Sequence, residues 1–363
     1  MGVTWVDWGM LTAFLLSTPV YLLVLGAIWR RRNKAPFNSS FFAIFFNLGI
    51  LDIVHLVTDW TFTKFPAYGW FGTDQLVMTN PRVFAKANSL FWWFIDLGQT
   101  IGVLSLAVNR ASIIVFNKAS LTGNGDWGPS AVRANVLATW LLPALMIVPQ
   151  FWLEFKYVQV PTGGVVMRWE SEDWMWAYFM FCGSWCAFIS VVCAVCYVLI
   201  ILKVDKDSAP QGSSNHQTKK RAAEVKLIWV GVALFIMQAV CSAFCTAMSF
   251  TTSASALAWM LPAQVVVLDA YSWMNPYLLL ACCDKMRAHT LALLRCRDPD
   301  QAKPSAAALT HTHNNQKKTR TGTLGYKGAE PMQLQHNYGT AAQKSHSGQV
   351  HTLSHVVIEK QRF

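Results

Sequence analysis

Residues 84–117 read FAKANSLFWWFIDLGQTIGVLSLAVNRASIIVFN. From Ser89 the stretch is one long apolar run closed by Asn109-Arg110, with a single acid, Asp96, near its middle. A helix rises about 1.5 Å per residue, which sets Asp96 and Arg110 roughly 21 Å apart along its axis. The hydrocarbon core of a bilayer is about 30 Å thick. One charge therefore falls within the membrane and the other near one face. Charge at depth is costly and marks function, so the stretch reads as a helix linking a pocket near Asp96 to a switch at Arg110.

Working outward, seven apolar runs appear: Trp8–Trp29, Asn38–Val57, Ser89–Val108, Val132–Val148, Trp174–Leu202, Val225–Phe250 and Trp259–Cys283. The 363 residues are 53% hydrophobic and 13% charged, with mean hydropathy +0.31; a soluble chain carries about 25% charge. The expected fold is an all-α membrane protein, a bundle of seven transmembrane helices. MGVTWVDWGM has no basic segment ahead of the first run, so no cleaved signal is expected. Of the 30 Lys and Arg, 25 fall in the stretches 30–36, 110–133, 203–226 and the tail, and 5 in 58–88 and 150–173. The positive-inside rule then places the N-terminus outside and the C-terminus inside. The formal charge of +11 belongs to a cytosolic membrane surface rather than to nucleic acid.

None of the nine cysteines lies in an outer loop, so no disulfide is expected there. After Cys283, DKMRAHTLALLRC spaces Met286, Leu291 and Leu294 among basic residues, the pattern of a short amphipathic eighth helix on the inner leaflet. Cys282, Cys283 and Cys296 are candidates for palmitoylation or are plain thiols. The expected domains are residues 1–296, the seven-helix unit with its eighth helix, and 297–363, a polar disordered cytoplasmic tail. Thr319, Thr321 and Thr323 in that tail read as spacer or as phosphorylation sites.

Asp52 and Asp269 are further acids at depth, and Asn275-Pro276-Tyr277 follows Asp269 by about two turns. Asn47-Leu48 with Asp52, Asn109-Arg110, Trp140, Tyr197 and Asn275-Pro276 together resemble the motifs of rhodopsin-like G-protein-coupled receptors. The departures are an Asn at 109 in place of an acid, Tyr277 directly after Pro276, no proline in the sixth run, and no outer cysteine in the third. This set looks most like the nematode serpentine chemoreceptors, particularly the serpentine receptor class gamma group and its relatives.

The resemblance implies a chemosensory receptor in the plasma membrane, of a sensory neuron, that binds a small extracellular ligand and signals to a heterotrimeric G protein. It implies arrestin and kinases as partners of the tail, membrane lipid around the bundle, no enzymatic activity and no cofactor. Asn109, Arg110, Tyr197, Glu224, Asn275, Pro276 and Tyr277 would form the switch and coupling end, with Glu224 the resting partner of Arg110. The alternative for Arg110 is a side chain that merely snorkels to the interface. Asp52, Gln99 and Asn275 would line a buried polar site holding water or sodium, or would simply bond helices together. Trp92, Asp96, Trp185, Asp269 and Trp273 are the ligand candidates, since acid with aromatic surface suits a cation; the tryptophans also read as an interfacial belt. The last run has no lysine for a retinal Schiff base, and His55 beside Asp52 has neither nucleophile nor metal-ligand spacing. A transporter or channel is the rival reading.

Overall fold

The computed structural model describes residues 5–115, 127–160, 164–170, 172–206, 215–251 and 254–295. All lie in the first of two compact units, Met1–Lys303. The tail, with Thr319, Thr321 and Thr323, and Cys296 lie outside the described residues.

Among the described residues, seven helices are long and apolar enough to cross a membrane. They are α1 (Trp5–Arg31), α2 (Ser40–Asp59) with its continuation to Tyr68, α5 (Pro81–Ile114), α6 (Pro129–Met146), α7 (Glu172–Lys206), α8 (Asn215–Phe250) and α9 (Ala254–Cys282). The continuation of α2 is a π-helical turn, Trp60–Lys64, and then α3, Phe65–Tyr68. A short helix α4, Thr73–Thr79, precedes α5, and α10, Asp284–Leu294, follows α9. Each of the seven apolar runs is a helix, and the expected eighth helix is α10.

The helix at the centre is α5, with 72% of its apolar window buried against 11% for α6. It starts at Pro81, eight residues before the apolar run. Asn80 precedes it, and Pro81 at the first turn gives up a backbone donor that would have no helical partner there. The polar residues of that turn hid it from hydropathy.

The all-α expectation needs one correction. Between α6 and α7 the chain forms an antiparallel hairpin, β1 (Phe155–Gln159) and β2 (Val165–Trp169), in the register Phe155↔Trp169 to Gln159↔Val165. Phe155, Tyr157 and Val165 are buried on a separate apolar cluster with Val77, Ala85, Trp93, Tyr178 and Cys182. The Tyr157 hydroxyl donates to the Phe62 carbonyl at 2.5 Å, and burial raises its pKa above the usual phenol value. Lys156 lies 2.5 Å and Arg82 3.6 Å from Glu170. The hydrogen bond from Lys156, chiefly, holds that half-buried carboxyl below its ordinary value. The hairpin thus closes one end of the bundle without a disulfide.

At the other end, α7 and α8 meet through Tyr197 and Gly231. A Cβ on Gly231 would sit 2.3 Å from the Tyr197 hydroxyl oxygen and 3.1 Å from Cζ. Gly231→Ala is therefore expected to cost about 1–3 kcal/mol of stability through overpacking. Tyr197→Phe in the same chain should recover much of it. Thermal unfolding of the three variants in detergent checks this, and a double variant no better than Gly231→Ala would locate the cost elsewhere.

Candidate functional site

Asp52 is fully buried and gathers three elements. Tyr21 of α1 donates its hydroxyl to Oδ2, Asn275 of α9 donates its amide to the same oxygen, and Gln99 of α5 donates to Oδ1 at 2.6 Å. Gln99 also donates to Ser272 at 3.0 Å. The expected trio of Asp52, Gln99 and Asn275 is thus brought together, with Tyr21 and Ser272 added. Hydrogens rather than oxygens face the carboxylate on both its atoms. A sodium ion needs the oxygens of its neighbours turned inward, so this donor set does not fit one. Asn47, expected beside Asp52, instead accepts from Trp140 Nε1 at 2.7 Å and ties α2 to α6.

A second cluster lies between α2 and α9. Lys64 falls past the second apolar run, Asn38–Val57; it is buried and donates to Asp269, with Asp59 Oδ2 at 2.9 Å. The π turn explains the placement. Its hydrogen bonds run i→i+5, as from the Phe65 N–H to the Trp60 carbonyl, so residues five apart such as Asp59 and Lys64 stack on one face. Lys64 Nζ also lies 4.5 Å from the centre of the Trp60 ring. His55, expected near Asp52, points here instead, with Nε2 3.8 Å from Asp269 Oδ1. Asp269 is therefore not a free acid awaiting a cationic ligand, because Lys64 already holds it.

Asp96 is 3% exposed, and its Oδ2 has no hydrogen-bond partner among the described residues. Trp92, Trp185 and Trp273 are half-buried, and the ring nitrogens of the last two are likewise without partners there. One turn deeper, Thr100 accepts from Gln238 at 2.7 Å, and Ser190 donates to Ser242 at 3.0 Å, joining α5, α7 and α8. A cavity of about 520 Å³ opens between the ends of α6 and α7, lined by Pro149, Trp152, Leu153, Trp174, Tyr178 and Phe181 among others. Tyr178 meets Trp93 edge-on at 5.1 Å, and Trp93 meets Trp92 at 5.0 Å, so aromatic rings run from the cavity to α5 a turn from Asp96.

Arg110 is 7% exposed, with its guanidinium 4.2 Å from the centre of the Phe41 ring. It is packed inside the bundle. Asn109 donates to Ser40 at 2.7 Å. The side chain of Glu224 lies outside the described residues, so that pairing stays an expectation. Tyr197 is buried with its hydroxyl unpartnered among the described residues. Pro276 is buried within α9, whereas Tyr277 is 42% exposed and within hydrogen-bond distance, 3.1 Å, of Ser17 on α1. Tyr277 thus reaches α1. Cys282 and Cys283 are half-buried, and burial raises the Cys283 thiol above its ordinary value. In α10 Met286 is buried, while Leu291 and Leu294 are exposed.

Comparison with known proteins places this geometry. The sequence model of the family described as "Serpentine type 7TM GPCR chemoreceptor Srv" matches residues 10–296. A curated relative, "Serpentine receptor class V-1" of Caenorhabditis elegans, is 26% identical over 166 residues, 44% of this chain and 49% of the relative. The matched stretch thus spans about half the length of that relative. Both matches name class V, where the motifs pointed to the gamma group and its relatives.

Proposed function

The chain belongs to the Srv family of serpentine seven-transmembrane chemoreceptors, and from that premise we propose that it binds a small ligand at the hairpin end of the bundle and signals to a heterotrimeric G protein at the Arg110 end. The observation that carries the reading is α5 itself. The most buried of the seven spans, it holds Asp96 with an unpartnered oxygen toward one end and Arg110 buried on Phe41 at the other. A ligand acts by binding one arrangement of the helices better than another. Asp96, Trp92, Trp185 and Trp273 are the ligand residues in this reading, and Asp269 acts through Lys64. Asn109, Arg110, Tyr197, Glu224, Asn275, Pro276 and Tyr277 form the coupling end. The hairpin then faces outward and the tail inward, at the plasma membrane of a sensory neuron. Arrestin and kinases meet the tail, and Cys282, Cys283 and Cys296 take lipid.

Nucleotide exchange on an added G protein, across a panel of small volatile and water-soluble metabolites, tests the reading. Arg110→Ala at normal surface expression should weaken the response about 5–150-fold, the range of a typical coupling free energy. An unchanged response would remove Arg110 from the switch. A ligand that drives current or uptake without exchange would favour a transporter, for which buried ion pairs at depth are equally natural.

A further inference from the structure

The cavity at the ends of α6 and α7 belongs neither to Asp96 nor to the coupling end. Its place follows from the chain. The helix α6 stops at Met146, and a tight turn containing Pro149 carries the chain to Trp152. Leu153 is then extended and joins the buried cluster of the hairpin. Among the described residues α6 packs on α5 and α2, and α7 on α5 and α8, while α6 and α7 meet at few points. A cleft of about 520 Å³ is left between them, within the usual size of a small-molecule site. Trp152 and Trp174 at its rim are 75% and 69% exposed. They belong to the two spans with the least burial, 11% and 28% of their apolar windows. Tryptophans at span ends sit at the membrane–water boundary. The cleft therefore opens onto the bilayer.

The walls decide the occupant. Trp152, Trp174, Tyr178 and Phe181 supply rings, and no lining side chain is charged. A charged ligand group would lie there without a counter-charge. A saturated lipid chain is as well solvated by other lipid tails as by this wall, and gains nothing by entering. A flat ring does gain, through edge-on and offset contacts with the wall rings. Two polar groups lie on the inner side. The Tyr178 hydroxyl donates to the Met146 carbonyl at 3.5 Å, a long bond that a better acceptor displaces. Beside it Gln150, fully buried, has its amide nitrogen unpartnered among the described residues. Both are donors, so both suit a ligand oxygen. We infer that this cleft is a second binding site, for an uncharged ring-bearing lipophile with an acceptor oxygen, which arrives through the bilayer. Its inner wall, Tyr178, meets Trp93 edge-on at 5.1 Å, so an occupant bears on α5 through that pair of rings.

Benzophenone has two rings, one carbonyl oxygen and no charge, and it labels its surroundings under ultraviolet light. The full chain in nanodiscs, irradiated with benzophenone and read by peptide mass spectrometry, should carry saturable label in 149–153 and 174–181, above the level of the other spans. An excess of 4-acetylbiphenyl should remove that label, and an excess of hexadecane should not. Ala177 lines the cleft at an exposed position. Ala177→Trp fills the space and should bring the label down to the level of the other spans. Tyr178→Phe keeps the ring and should weaken binding about 2–12-fold, the worth of one hydrogen bond. Label spread evenly over the lipid-facing spans overturns the site, as does undiminished label in Ala177→Trp. Hexadecane protecting as well as the ketone would make the occupant a lipid chain, which overturns it too. This readout needs no G protein, so a failed site leaves the receptor reading to its own test.

Discussion

Replacing Asp52 by Ala should lower the unfolding free energy by about 2–5 kcal/mol. Three neutral donors, from Tyr21, Gln99 and Asn275, converge on this carboxylate from three different spans. Interhelical hydrogen bonds in one membrane protein average about 0.6 kcal/mol and reach about 1.7. Three together amount to roughly 2 at the mean and 5 at the limit. Asp52→Asn keeps one oxygen and should cost distinctly less, since only part of the acceptor set is lost. Unfolding in mixed micelles, followed by far-ultraviolet circular dichroism, measures the difference. An Ala variant within about 0.5 kcal/mol of wild type, the spread of an ordinary surface substitution, would mean that the node is ornamental to stability.

Gly164→Ala should detach the hairpin from the bundle. Gly164 has φ +78°, a backbone region where a side chain costs about 1–2 kcal/mol. The added Cβ would also lie 2.1 Å from the Ala67 carbonyl oxygen and 2.7 Å from its carbon. Both are backbone atoms, so no rotamer change relieves the clash. The strands must lift, and Phe155, Tyr157 and Val165 leave their cluster with Trp93 and Tyr178. A local loss of about 3 kcal/mol or more corresponds to amide exchange at least about 100-fold faster across 155–169. The amides of α5 and α9 should keep their protection. Hydrogen exchange read by mass spectrometry separates the two regions, and unchanged exchange in the hairpin would show that the contact with Ala67 yields cheaply. If ligand enters at this end, the same variant should also blunt any response to it.

The seven spans were legible because hydropathy over about 20 residues leaves little else possible. Asp52, Gln99 and Asn275 were legible because a polar residue in an apolar run has to face another. Lys64 was not. It follows Asp59 by five residues, a spacing that an α-helix does not stack, and only the π turn aligns the two. The hairpin did carry a signal: in FKYVQVPTGGVVMRW, Phe155, Tyr157 and four valines make two β-prone runs on either side of Pro-Thr-Gly-Gly. It was overshadowed by the much larger apolar runs on either side. The subfamily resemblance rested on a few short motifs, too few positions to separate class V from the gamma group.

The bridge from Lys64 to Asp269 joins residues 205 apart in the chain. A ribosome adding about 5–20 residues per second needs roughly 10–40 s to travel that distance. For that interval the second span carries an ammonium, four residues from its end at Tyr68, whose partner on the seventh span has not been made. Asp59, five residues earlier, is the only carboxylate of the cluster already synthesised. Asp59 thus accompanies the lysine while the chain is still being made, and the seventh span later adds Asp269.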